Sequence, residues 1–288
     1  MKIAVVGVGG VGGYFGGRLA TQPSNEVFFV ARPGRQHDGL KRHGLQVLSG
    51  ATHGDFKIKP CLVVATAAEV GPVDVVLVCV KTYDLGNLTE TLGPLLRDGS
   101  AEADATAVIP LLNGMDAPAA LLKHLGEQHV LGGLCKIMAW IDSPGVIRHN
   151  GSLASLAFGE LGARSGTITP RVERLLAAFA AAGVAADSPA HGIVNEMWRK
   201  MVMICTFSGT GAVRAPAANP RNARRPSRAS LHSIPIRTPR HAKQKTPLCR
   251  HVSLGTSLLA RAACSTASSN STPRAPSAGD PRDPRRDS

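Results

Sequence analysis

The sequence predicts an α/β protein built on a doubly wound parallel sheet, and two observations support this prediction. Short apolar runs alternate with stretches of helical spacing through the first half of the 288 residues. This alternation is typical of a parallel sheet with helices on its faces. The first apolar run, Lys2–Val6, also leads directly into a G-x-G-x-x-G loop at Gly7, Gly9 and Gly12, after which an apolar helical pattern begins.

Each further element follows from its own hydrophobic pattern. Apolar runs predict strands at residues 2–6, 26–31, 74–80, 106–112, 130–138, 146–149 and 153–158. Apolar residues that recur every three to four positions predict helices at residues 12–21, 85–96, 117–125, 170–182 and from 192 to about 213. A short apolar stretch at 184–186 precedes the last helix, which we expect to begin a separate helical domain.

The chain changes character after residue 213. The net charge of +13 arises almost entirely in residues 214–288, which are rich in Arg, Pro, Ala, Ser and Thr and show no sustained period. Such a segment buries too little apolar surface to offset its ordering entropy, so we expect a disordered basic tail. A basic arm that binds nucleic acid is the alternative interpretation, although the tail lacks aromatic residues for base stacking. A nucleic-acid partner is therefore not expected.

Other compositional features narrow the class of protein. No stretch of apolar residues is long enough to cross a membrane. The six cysteines are scattered without a C-x-x-C pair, and the ten histidines show no metal-ligand spacing. Reduced thiols in a cytoplasmic protein are the simplest interpretation, and no metal site is predicted.

The glycine loop predicts a dinucleotide site. Gly7 permits a tight turn, Gly9 lets the backbone approach a pyrophosphate, and Gly12 allows the helix and strand to pack closely. The N-terminus of the following helix offers unpaired N–H groups to the phosphates. Arg32 follows the second strand, where an arginine accommodates the 2′-phosphate of NADP and an acidic residue would bind NAD. An exposed loop arginine is the alternative for Arg32.

Three polar residues are candidates for the chemistry. Lys81 and Asn113 each follow a predicted strand, and sites in open α/β sheets lie at the carboxyl ends of strands. A lysine facing water and an Asn-Gly turn are the alternatives. Lys200 falls inside the apolar arc of the last helix, where desolvation would lower its pKa and make it a better proton donor. An ordinary i,i+4 pair with Glu196 is the alternative for Lys200.

Taken together, these residues resemble the ketopantoate reductase (2-dehydropantoate 2-reductase) family. Order and spacing match over roughly residues 1–213. The matching segments are GVGGVG at 7–12, Arg32, VKTYD at 80–84, LLNGMD at 111–116, LGGLCKIMAWIDSPGVIRH at 131–149 and EMWRKM at 196–201.

The resemblance implies a fold and a reaction. It implies a Rossmann domain, here 1–168, followed by an all-helical substrate domain that begins at 169–213, with the active site between them. Members of the family use NADPH to reduce the 2-keto group of ketopantoate to pantoate, in pantothenate biosynthesis. The small-molecule partner of this chain is therefore expected to be a 2-keto acid, and the resemblance leaves the oligomeric state open.

The resemblance also assigns roles to single residues. The loop residues Gly7, Val8, Gly9, Gly10, Val11 and Gly12 would hold the pyrophosphate. Arg32 would bind the 2′-phosphate, and Ala139 would line the cofactor site. Lys81 and Asn113 would bracket the nicotinamide and the substrate. Lys200 would donate a proton, or a charge-assisted hydrogen bond, to the ketone oxygen as hydride arrives.

The chain departs from the family in two places. Asparagines that bind substrate in members of the family are replaced by Ile204 and Ser208, so a carbonyl substrate related to ketopantoate is the alternative. The match stops near residue 213, where we expect a truncated helical domain and hypothesise that the tail is an out-of-frame reading of a GC-rich gene. An inactive relative that retains only NADPH binding is the alternative function.

Overall fold

The computed structural model describes residues 1–99 and 105–213. These residues belong to one compact unit, Met1–Ala217, and the second unit, Ala218–Ser288, lies outside the described residues. The predictions of a disordered tail and of a basic arm at 214–288 therefore concern residues that are not described.

The first sheet contains five parallel strands and is the Rossmann-like core that the sequence predicts. Its strands are β1 (Lys2–Val6), β2 (Glu26–Val30), β5 (Leu62–Val64), β6 (Val75–Val78) and β7 (Ala107–Pro110). Their order is β5-β2-β1-β6-β7, and every pair is parallel. From β1 the chain adds β2 and β5 on one side and then crosses back to add β6 and β7 on the other. The topological switch point, where such sheets bind ligands, therefore lies between β1 and β6.

A second sheet packs beside the first. It contains β3 (Leu45–Leu48), β4 (Phe56–Ile58), β8 (Gly132–Ser143), β9 (Val146–Gly159) and β10 (Ala185–Asp187). The order is β10-β9-β3-β4, with β8 paired to β9 in a long antiparallel hairpin. Gly145, at φ +82°, makes the tight turn of this hairpin. The strand-like stretches predicted at 130–158 therefore form a sheet of their own, in which 146–149 and 153–158 are parts of one strand.

The helices are α1 (Gly10–Ala20), α2 (Arg35–His43), α3 (Gly50–His53), α4 (Leu85–Leu92), α5 (Asp116–Leu125), α6 (Pro170–Ala181) and α7 (Ile193–Val213). The hydrophobic pattern did not predict α2, because the nine residues of this helix are mostly charged or polar and Leu40 is its one fully buried large apolar side chain. The hydrophobic pattern also did not predict strands β3, β4 and β5, which are three or four residues long.

Helix α1 lies between the two sheets and packs against both at backbone distance. A Cβ atom at Gly16 would come within 2.6 Å of Val5 in the first sheet. A Cβ atom at Gly13 would come within 2.6 Å of Ile147 in the second sheet. Glycine is a poor helix former, by about 1 kcal/mol relative to alanine. The packing on both faces thus selects glycine against its own helix propensity.

A buried ion pair joins the end of β9 to α6. The side chains of Glu160 and Arg171 are 1% and 2% exposed, and Arg171 donates to Glu160 from Nε at 2.7 Å and from Nη2 at 2.6 Å. Thr169 donates to the same carboxylate at 2.6 Å. Burial pushes the pKa of Glu160 upward, but the hydrogen bonds from Arg171 and Thr169 outweigh it and hold that pKa below its ordinary value.

Replacing Glu160 by glutamine should lower the free energy of unfolding by about 3 kcal/mol, because the buried charge of Arg171 would lose the carboxylate that it contacts at 2.6 Å. Chemical denaturation of the full chain measures this loss. The matched control is Glu173→Gln on the exposed face of α6, which should change stability by less than about 0.5 kcal/mol. Equal effects of the two substitutions would show that the buried pair does not stabilise this junction.

Candidate functional site

The glycine loop connects β1 to α1 at the switch point of the first sheet. Gly7 lies at φ +96°, a conformation that side chains rarely adopt, and its N–H donates to the Val30 carbonyl at 3.1 Å. A Cβ atom on Gly7 would come within 2.8 Å of the Cys79 backbone. A Cβ atom on Gly12 would overlap the Gly7 carbonyl oxygen. Both glycines therefore serve the close packing of loop, helix and strand.

The N-terminus of α1 has the features of an anion site. Gly9 is the N-cap residue and no side chain caps the helix. The first intrahelical hydrogen bond runs from Gly13 N to Gly9 O at 2.8 Å, so the earlier N–H groups have no partner within the helix. No atom lies within 4 Å of a Cβ built on Gly9, which leaves the backbone open to a ligand. These features fit the pyrophosphate of a dinucleotide.

The two valines of the loop point inward. Val8 is buried in the main core, and Val11 is half-buried against it. Val8 can therefore face a ligand only through its backbone, whereas the side chain of Val11 is partly exposed.

A glutamine that the sequence did not point to anchors the loop. Gln36, in α2, donates from Nε2 to the Val8 carbonyl at 3.1 Å and accepts at Oε1 from Gly145 N at 3.0 Å. One side chain thus ties the glycine loop to the turn of the β8–β9 hairpin. A polar residue in a polar helix carries no sequence signal for such a role.

Ala139 approaches the loop from the second sheet. A Cβ atom on Gly10 would overlap the Ala139 carbonyl, so β8 passes the first turn of α1 at backbone distance. Ala139 thus lies beside the predicted cofactor site, and it approaches the loop through its backbone carbonyl.

Arg32 lies just beyond β2, with its side chain 83% exposed. It is paired with Asp84, which ends the short turn Thr82–Asp84 after β6. Two guanidinium nitrogens reach the two carboxylate oxygens at 3.3 and 3.4 Å. Arg32 and Asp84 follow the two strands that flank β1, so the pair lies at the carboxyl edge of the sheet.

Lys81 and Asn113 lie on neighbouring loops at the same edge. Lys81 comes just before the Thr82–Asp84 turn, and Asn113 follows β7. Both side chains are exposed. Thr82 Oγ1 lies 3.4 Å from the Asn113 carbonyl and donates to it, which connects the two loops.

Lys200 connects α7 to this edge through β8. Its ammonium group is half-buried and donates to the Cys135 carbonyl at 2.5 Å. Cys135 Sγ in turn lies 3.6 Å from the carbonyl of Leu111, two residues before Asn113. Burial lowers the pKa of Lys200; the nearby Cys135 acts in the opposite direction, and Lys136 lowers the pKa further.

The alternative partner for Lys200, Glu196, is engaged elsewhere. Glu196 pairs with Arg199 at 2.7 Å and with His191 at 2.9 Å, and Lys136 lies 3.7 Å from its other oxygen. The described contacts of Lys200 are therefore with β8.

The structure does not bring Ser208 into this cluster. Ser208 lies about two turns beyond Lys200 on α7 and is exposed, and Ile204 between them is half-buried. The surrounding apolar face is also open, with Phe207 72% exposed.

Residues 1–99 and 105–213 hold no cluster of His, Cys, Asp and Glu suited to a metal ion. None of the helices in these residues is long and apolar enough to cross a membrane.

Comparison with known proteins gives consistent matches. The family model described as "Ketopantoate reductase PanE/ApbA" matches residues 3–163. The chain is 36% identical over 210 residues to an uncharacterized oxidoreductase, YkpB, of Bacillus subtilis, a match that covers 73% of this chain and 64% of that protein. The chain thus spans less than two thirds of the length of this relative.

Solved structures show the same likeness. A 2-dehydropantoate 2-reductase from Porphyromonas gingivalis matches with a TM-score of 0.65 and 31% identity, over 74% of this chain and 71% of that chain. A ternary structure of D-mandelate dehydrogenase with NADH and anilino(oxo)acetate matches with a TM-score of 0.61 and 25% identity, over 73% of this chain and 63% of that chain.

Two adjacent glycines provide a matched test of the loop geometry. Gly10→Ala should lower the free energy of unfolding by about 3 kcal/mol, because the new methyl group would overlap the Ala139 carbonyl. Gly9→Ala should cost less than about 1 kcal/mol, because the space at Gly9 is open and only N-cap preference is lost. Thermal or chemical unfolding of the two variants measures the difference. Equal losses would contradict the close approach of β8 to α1.

Proposed function

The chain belongs to the ketopantoate reductase PanE/ApbA family, and on that premise we propose that it reduces a small 2-keto acid with NADPH. The observation that carries this proposal is the position of Lys200. Its half-buried ammonium group reaches the Cys135 carbonyl, and Cys135 contacts the loop that leads to Asn113 at the ligand-binding edge of the parallel sheet. A proton donor thus stands near the edge where a dinucleotide would lie.

The proposed reaction divides its tasks between the cofactor and the chain. When bound, NADPH supplies a hydride to the carbonyl carbon and leaves as NADP⁺. The electron pair of the C=O bond moves to oxygen, and Lys200 gives that oxygen a proton, so that a 2-hydroxy acid forms. Positive charge at Lys200 stabilises the developing alkoxide before the proton moves.

Lys81 and Asn113 are proposed to hold the reactants. Both lie on loops at the carboxyl edge of the sheet, joined by the hydrogen bond from Thr82. An exposed ammonium group can bind a carboxylate or a phosphate, and the Asn113 amide can both donate and accept hydrogen bonds. We assign to these two residues the positions that flank the nicotinamide and the substrate, and to Ala139 the wall of the cofactor site.

The choice of NADPH over NADH rests on Arg32. An exposed arginine directly after β2 suits the 2′-phosphate of NADPH. The solved D-mandelate dehydrogenase relative is named with NADH, so NADH is the competing cofactor for this chain.

The substrate is proposed as a 2-keto acid, with ketopantoate as the first to test. Where substrate-binding asparagines are expected from the resemblance, Ile204 offers no hydrogen bond and Ser208 is exposed. A substrate that relies less on those contacts is the alternative. A chain that binds cofactor without turnover is the second alternative, and it predicts NADPH binding with no oxidation of NADPH by any 2-keto acid.

Two further proposals concern organisation and location. We propose that residues 169–213 begin the substrate-binding part and that 1–168 form the cofactor-binding domain. We propose a cytoplasmic location, because the four cysteines in the described part of the chain are all free thiols, as is usual in a reducing compartment.

Lys200→Met should lower kcat/KM by about 10²- to 10⁴-fold, because the proton donor is lost, while the Kd for NADPH changes less than about threefold. Oxidation of NADPH in the presence of ketopantoate and other 2-keto acids measures the first quantity, and fluorescence titration measures the second. The matched control is Lys123→Met, at an exposed position of α5. Full activity of Lys200→Met would refute the role of Lys200.

The pH profile of the wild-type chain provides an independent test. The donor must be protonated, so kcat should fall as pH rises through the pKa of Lys200. Burial lowers that pKa from its ordinary value of 10.5, so the fall should begin at lower pH than for an exposed lysine. A profile that stays flat to pH 10.5 would contradict proton donation by Lys200.

A further inference from the structure

Asp84 stands at the N-terminus of a helix but does not cap it. It is the N-cap residue of α4, where an aspartate ordinarily accepts a hydrogen bond from the first turn of its helix. No such cap bond forms. Both carboxylate oxygens instead face the Arg32 guanidinium at 3.3 and 3.4 Å.

The pairing occupies the group that would select the cofactor. Arg32 is the cation proposed to bind the 2′-phosphate, and a bidentate carboxylate uses the same planar fork of N–H groups that a phosphate would use. The two side chains differ in exposure: Arg32 is 83% exposed and Asp84 is 26% exposed. Asp84 is therefore the more fixed partner, and a ligand at Arg32 would stand next to its negative charge.

We propose that Asp84 is a specificity-determining residue that competes with the 2′-phosphate for Arg32 and so narrows the preference for NADPH over NADH. This inference rests on the proposed function. With NADPH, Arg32 must leave Asp84, and the phosphate dianion then lies close to an uncompensated carboxylate. With NADH, Arg32 stays paired, and the carboxylate can accept a hydrogen bond from the ribose 2′-hydroxyl.

The direct test is Asp84→Asn, which keeps the size of the side chain and removes its charge. The Kd for NADPH should fall about fivefold, because Arg32 no longer gives up an exposed ion pair when it binds the phosphate. The Kd for NADH should change less than about twofold. Fluorescence titration of the full chain with each reduced cofactor measures both constants.

The matched control is Asp38→Asn in the first turn of α2. The Asp38 carboxylate is exposed, follows Arg32 by six positions in the sequence and has His37 as its partner. It removes the same charge without freeing Arg32, so it should leave the ratio of the two dissociation constants within about twofold of the wild-type ratio. An equal gain in both variants would show that general charge, and not competition for Arg32, sets the preference.

The same Asp84→Asn substitution in an Arg32→Ala chain separates competition for Arg32 from direct repulsion between Asp84 and the phosphate. In an Arg32→Ala chain there is no guanidinium to release, so most of the NADPH gain from Asp84→Asn should disappear. A gain that persists in full would overturn the competition. An unchanged or weaker affinity of Asp84→Asn for NADPH would overturn it as well, while wild-type binding of NADPH would leave the proposed function standing. If the wild-type chain binds neither cofactor, the proposed function itself fails.

Discussion

The structure depends on the approach of helix α1 to two sheets at backbone distance. Glycines on one face of the helix lie against the parallel sheet, where Val5 leaves no room for a side chain at Gly16. Glycines on another face lie against the second sheet, where Ile147 leaves no room for a side chain at Gly13. Because neither sheet can retreat without opening the core, these contacts fix the axis of α1. The same contacts fix where its N-terminus points.

The candidate site is built around that fixed N-terminus. Gln36 holds the glycine loop by the Val8 carbonyl, and β8 passes the first helical turn at Ala139. The same strand contains Cys135, and the carbonyl of Cys135 accepts a hydrogen bond from Lys200 of α7. The second sheet thus links the proposed phosphate-binding loop to Lys200, the proposed proton donor. A change in how β8 packs on α1 would therefore move both the glycine loop and the carbonyl that Lys200 contacts.

The sequence predicted the parts that have local signals and missed those set by tertiary contact. The apolar run Lys2–Val6 and the spacing of Gly7, Gly9 and Gly12 predicted the glycine loop between β1 and α1, since strand, turn and helix each leave a pattern. The second sheet was not foreseen, because strand pairing is a long-range choice that apolar runs do not encode. The partner of Arg32 was also missed, because Asp84 is 52 residues away. The further glycines of α1, such as Gly13, recur at helical spacing, and this pattern does indicate a helix face that packs at backbone distance.

The N–H groups that precede the first helical hydrogen bond of α1 are the proposed binding site for the pyrophosphate of the cofactor. Titration of ¹⁵N-glycine-labelled chain with NADPH, followed by amide NMR, tests it most directly. Binding of the pyrophosphate there should shift the Gly9 and Gly10 amides strongly and leave those of Gly16 and Gly17 little changed, because these two lie in the packed part of the helix. Saturable binding that leaves Gly9 and Gly10 unshifted would contradict it.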